Sequence, residues 1–344
     1  MNASQPWGNR QASQRGISLV ELMIGLVISL VLTGAVSLLF IDASRNHRMN
    51  ENISRMQESS RFSIDKIGRD ARGAGYFGCS GRAPYSEAAY LYRFATAVEA
   101  FSVPSDAWPA DLASAFEPLK AIDEFTNEAT DSPLKPKSGS HILALRGIPE
   151  GGAIVPYEAK GGALQVASTS AIGMSDIVLV SNCRSSEVCQ VTEVKLTADN
   201  QLKNLIHGAK GGVASCNEKQ ADSGTLLTGE VMQIATSTYF VANDPLTERP
   251  TLYRRIADRD VHAIARNVDN MRILAGIDED GDRQIEQFIE DLSAVDWAKV
   301  RAIRIVLTLL SEDTGLAVNG ADIRTDGRLQ YTTTNTIALR NRLP

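Results

Sequence analysis

The sequence predicts an α+β protein, a long N-terminal helix laid on an antiparallel β-sheet head. Three observations carry that expectation. Ile17–Ile41 is apolar or small throughout, with Glu21 its only charged residue. Residues 42–72 hold no proline and keep Met49, Ile53, Met56, Phe62, Ile64, Ile67 and Ala71 largely at three- and four-residue steps, as an amphipathic helix requires. From His141 onward, short β-like runs alternate with Gly, Asn and Asp clusters, the texture of antiparallel strands. A helix followed by strands is an α+β plan in which the helix stripe covers one sheet face.

The apolar run has 25 residues, about 37 Å as a helix, enough to span a bilayer. It is too long for the hydrophobic region of a secretory signal, and a carboxylate near its start is out of place in one. An ionised group in hydrocarbon costs several kcal/mol, so Glu21 demands a partner. Further on, Gly73-Ala74-Gly75-Tyr76-Phe77-Gly78 copies the letters of a dinucleotide-binding loop. That loop must open a helix; this one follows a helix, whose C-terminal carbonyls repel phosphate. It predicts a helix stop.

Of 344 residues, 43% are hydrophobic and 22% charged, ample for a packed core. The net charge of -6 is uneven: residues 1–72 hold nine Lys/Arg and six Asp/Glu, and the remainder 26 and 35. An acidic bulk argues against nucleic acid as a ligand. Residues 80–138 are rich in Ala, Ser, Pro and acids, with short helices predicted at 110–115 and 119–125. Strands are predicted at Ile142–Leu145, Ala153–Tyr157, Ile177–Ser181, Val188–Leu196, Val231–Val241, Leu252–Ile256, Val300–Leu310 and Leu329–Leu339. Val268–Leu274 reads as a strand or as the tail of a short helix.

All four cysteines, Cys79, Cys183, Cys189 and Cys216, lie beyond the apolar run. An even number on one side of a membrane helix fits disulfides in an oxidising compartment, which places the C-terminal bulk outside the cytoplasm. The expected pairing is a local Cys183–Cys189 loop and a long-range Cys79–Cys216 staple. Asp278, Asp280 and Asp282 alternate, with Glu286 behind them. Alternating carboxylates can offer oxygens to calcium, whereas Asp280-Gly281 is also a strong turn dipeptide. No zinc-ligand spacing, nucleophile elbow or phosphate loop is present, so the residues predict no enzyme.

Gly16, a hydrophobic residue at 17, and Glu21 at the fifth position after the glycine resemble the class III signal of type IV prepilins and type II secretion pseudopilins. Farther along, Gly276-Ile277-Asp278-Glu279-Asp280-Gly281-Asp282, then Trp297 and Val300 leading into a strand, and the ending Ala338-Leu339-Arg340-Asn341-Arg342, resemble minor pilins of the PilW type. The resemblance implies cleavage between Gly16 and Ile17, N-methylation of Ile17, and an assembly contact between Glu21 and a neighbour's terminal amine. It divides the chain into a leader (1–16), a transmembrane and assembly helix (17–41), the amphipathic second half of that helix (42–75) and a globular head (76–344). Implied partners are a prepilin peptidase, other minor pilins, the major pilin and the inner-membrane pilus assembly platform. The implied location is the inner membrane with a periplasmic head, and then the pilus tip, in a system for adhesion and twitching motility. A minor pseudopilin of type II secretion shares the N-terminal logic. A membrane-anchored periplasmic adhesin or enzyme is the alternative of another class. No cofactor is implied beyond the calcium that the acidic loop could take.

Overall fold

The computed structural model describes residues 18–76, 78, 96–103, 134–160, 163–182, 184, 186–206, 228–256, 261–282, 284–314 and 325–342. Helix α1 runs unbroken over Leu19–Gly73, 55 residues and about 82 Å. The strands that follow are β1 (Val98–Ser102), β2 (His141–Gly147), β3 (Ile154–Lys160), β4 (Ala163–Ala167), β5 (Ile177–Ser181) and β6 (Ser186–Gln190). Next come β7 (Glu193–Leu196), β8 (Leu202–Ile206), β9 (Thr228–Gln233), β10 (Ala235–Asn243) and β11 (Pro250–Ile256). The last five are β12 (Val261–Arg266), β13 (Val268–Ile277), β14 (Gln287–Ile289), β15 (Val300–Leu310) and β16 (Gln330–Ala338). The predicted α+β plan is what the chain adopts.

The strands form three antiparallel sheets, ordered β1-β2-β10-β11-β12, β14-β13-β15-β16 and β6-β5-β9-β3-β4-β8-β7. The third must curl. Its two edge strands, β6 and β7, are consecutive in the chain and joined by only Val191 and Thr192. Six inter-strand spacings laid flat span about 29 Å, beyond the reach of that link, so the edges turn toward each other. Tyr157, Leu164, Val166, Val178, Val180, Cys189, Leu205 and Val231 pack together as the core of this sheet.

Two predicted strands are each really two. Val188–Leu196 breaks after β6, which pairs with β5, into β7, which pairs with β8. Val231–Val241 breaks at Ile234, where the chain leaves the curled sheet for the first one. Continuous apolar runs hide such breaks, because periodicity does not register a change of partner. Val268–Leu274 is strand, lengthened to Ile277, and β15 occupies the predicted Val300–Leu310. In β15 the odd-numbered Ile303, Ile305, Leu307 and Leu309 are buried, while Arg304, Val306 and Thr308 are half-exposed. The predicted short helices at 110–115 and 119–125 lie outside the described residues.

The molecule divides into two compact units, residues 1–52 and 53–344, so the last stretch of α1 belongs to the head. On that stretch Met56, Ser60, Ser63, Ile67, Asp70 and Ala71 are buried. Phe62, expected on the buried stripe, is instead 52% exposed. Serines at 60 and 63 take the packed face. The glycine run ends the helix, as expected. Gly75 takes φ +73° and donates its N–H to the Arg146 carbonyl at 2.9 Å. Opposite it, Gly147 is there for space, since a Cβ would lie 2.5 Å from the Gly73 carbonyl oxygen.

Candidate functional site

The N-terminal part of α1 is apolar and bare. Leu22, Met23, Ile24, Leu26, Val27, Ile28, Leu30 and Val31 are each more than half exposed. The best 18-residue window has a mean hydropathy of 2.6 with none of it buried, long and apolar enough to cross a membrane. Its hydroxyls are satisfied within the helix. Ser29 Oγ donates to the Leu26 carbonyl, Thr33 Oγ1 to Ser29 at 2.7 Å, and Ser37 Oγ to Thr33 at 2.7 Å. Such back-bonding removes their need for water. Gly25 and Gly34 have nothing within 4 Å of a built Cβ, so the chain's own packing does not call for glycine there.

Glu21 is the exception. Among the described residues no cation pairs with it, and it sits with Leu22, Gly25, Leu26 and Ser29 around a shallow groove on the helix surface. The predicted processing residues, Gly16 and Ile17, lie outside the described residues.

At the other end of the helix a carboxylate is engaged within the chain. The Asp70 carboxylate takes Arg254 Nη2 at 2.9 Å on Oδ1 and 2.7 Å on Oδ2, and the Tyr239 hydroxyl at 2.8 Å. Both ionic side chains are 6% exposed. Burial and the Asp70 charge push the Tyr239 phenol well above its usual pKa, so it stays a donor. Around this buried centre, Lys66 pairs with Glu150, and Arg254 lies 3.7 Å from Glu150 Oε2. Asn341 Nδ2 donates to the carbonyls of Arg72 at 3.1 Å and Ala74 at 3.0 Å, closing the helix C-terminus from the end of the chain. The sequence reading missed this anchor. Its signal was Asp70 itself, three residues after Ile67 and so on the face that buries.

The acidic loop joins β13 to β14 as a turn. Gly281 has φ +81° and its N–H reaches Asp278 Oδ1 at 2.7 Å, while Asp280 and Asp282 each accept the backbone N–H two residues on. The side chains of Asp278, Asp280, Asp282 and Glu286 each bring one oxygen within 4.8 Å of the others. Asp278 is buried, and its Oδ2 already accepts from Arg301 Nε at 3.1 Å. Glu286 Oε2 takes the Glu279 N–H at 2.9 Å. A hard cation would have to compete with Arg301 and with these amides.

Cys189 is disulfide-bonded and buried in the core of the curled sheet. The remaining cysteines of the expected Cys183–Cys189 and Cys79–Cys216 pairs lie outside the described residues.

A bare apolar helix with a lone carboxylate, followed by a sheet head, is the setting for the comparisons with known families. Residues 11–37 match the family model of the prokaryotic N-terminal methylation motif, and residues 238–341 that of type IV pilus-assembly protein W. These two matches, one at each end of the chain, support a PilW-type pilin with a prepilin signal. The second match starts within β10 and ends at Asn341, and includes Tyr239, Arg254 and the acidic loop. No curated protein and no solved structure matches the chain.

Proposed function

We propose that the protein is a minor pilin that helps to prime and join type IV pilus assembly through its N-terminal helix. The unpaired Glu21 carries this reading. A carboxylate on a membrane-length helix, with neighbouring hydroxyls self-satisfied and no cation beside it among the described residues, is suited to a charge from outside the chain. Cleavage after Gly16 by a prepilin peptidase would supply that charge, since each processed subunit gains an amine at Ile17. The helix then docks beside its neighbours in the inner membrane, and the assembly platform moves the subunit into the filament near its tip. The head, held to the helix through Asp70, presents the surface that selects other minor pilins and the major pilin. The type II secretion alternative shares every step of the helix mechanism, and the PilW match over residues 238–341 favours the pilus.

Glu21→Ala tests the reading. The head should keep its stability within about 0.5 kcal/mol, as expected for a change at an exposed site. Incorporation into purified pili, read by immunoblot, should be lost. Normal incorporation and normal piliation would remove Glu21 from the mechanism.

A further inference from the structure

The head guards nearly all of its described strand edges. The curled sheet turns β6 and β7 toward each other. β1 carries Glu99, β14 is three residues long between Glu286 and Glu290, and β12 pairs across a register shift and carries His262 and Arg266. Charge, shortness and bulges are the devices that keep sheet edges from pairing with other chains.

β16 has none of them. It is nine residues long and pairs with β15 without a shift from Ala302↔Ala338 to Leu310↔Gln330. Leu329–Leu339 contains no charged residue and no proline. The direction of its free backbone follows from the register. Leu339 N donates to Arg301 O and Ser311 N to Leu329 O, so the odd-numbered residues of this strand exchange bonds with β15. The N–H and C=O groups of Gln330, Thr332, Thr334, Thr336 and Ala338 therefore point away from the sheet. Among the described residues no group bonds to them, and Thr332, Thr334, Thr336 and Ala338 are exposed.

We propose that this edge pairs with the same edge of a second copy of the chain, antiparallel about a two-fold axis at Thr334. The strand is self-complementary in two respects. Being uncharged, it meets itself without like-charge repulsion. In register, Thr334 faces the partner's Thr334, Thr332 faces the partner's Thr336, and Gln330 faces the partner's Ala338. All of these are outward-pointing positions that can exchange two backbone bonds per pair. Tyr331 then faces the partner's Ile337, an aromatic and β-branched pair of the kind that stabilises sheets. Two four-stranded sheets become one of eight strands across an isologous interface. The inference stands apart from the pilin reading.

Cross-linking of the full-length protein in detergent tests it. Thr334→Cys with a short bis-maleimide should give a covalent dimer, and Thr334→Lys should abolish the dimer seen by light scattering. Mixed Thr332→Cys and Thr336→Cys chains should cross-link to each other at least several-fold more than either does to itself. Circular dichroism checks that each variant keeps its fold. A monomer at all concentrations, a 332-to-332 pattern indicating parallel strands, or cross-links to another pilin in place of a second copy would each overturn the proposal.

Discussion

Helix α1 carries two carboxylates that its environment treats in opposite ways. Asp70 is buried, takes two bonds from Arg254 and one from Tyr239, and is complete within its own chain. Glu21, on the same helix, has no partner among the described residues. The contrast shows how one element serves two bodies. Where the helix packs on its head, the Asp70 carboxylate finds its partners within the chain. Where the helix is bare, Glu21 is left without a partner among the described residues, as its proposed role in assembly requires.

The largest effect expected from breaking this contrast is at Asp70. Asp70→Ala strands a buried guanidinium, and loss of one partner from such a pair costs about 3–5 kcal/mol. Denaturant unfolding of the detergent-solubilised chain should register it, whereas Glu21→Ala should leave that curve in place. Similar small shifts in both variants would dissolve the distinction.

A smaller effect concerns pH. His141 is buried, and its Nδ1 accepts the Ile273 N–H at 2.9 Å, a bond only an unprotonated nitrogen can accept. Burial lowers its pKa, with Glu290 opposing and Arg272 assisting that shift. The unfolded chain, near 6.5, therefore binds more protons than the native one. Stability is full above about pH 6.5 and falls as pH drops toward the lower native value, by at most about 1.4 kcal/mol per unit. His141→Gln should flatten that slope in pH-dependent unfolding; an unchanged slope would assign it to other groups.

The smallest effect is expected at the acidic loop. Arg301 and the backbone amides already engage its carboxylates, so millimolar calcium should leave the unfolding midpoint where it is. A rise that disappears in Asp280→Ala would make the loop a cation site instead.

Much of this organisation was legible in residues alone. The apolar run with its single carboxylate, the glycine helix stop and the strand Val300–Leu310 each follow from local chemistry. Phe62 was misplaced because periodicity reports a stripe without reporting which neighbours need room, and there Ser60 and Ser63 fill the packed face. The Asp70 anchor was hidden because Tyr239 and Arg254 are brought to it by strand pairing across a long sequence separation. The curl of the seven-stranded sheet was invisible for the same reason, since a two-residue link between β6 and β7 looks like one strand until their partners are known. β1, β4, β8, β12 and β14 were missed as strands, each being short and lacking a strong apolar run.

The central claim is that Glu21 awaits an amine that cleavage creates. Mass spectrometry of the N-terminus of protein taken from cells with the processing machinery tests it most directly. The account predicts a chain that starts at Ile17 and carries a methyl group on its amine. An intact Met1, or a cut far from Gly16, would contradict it.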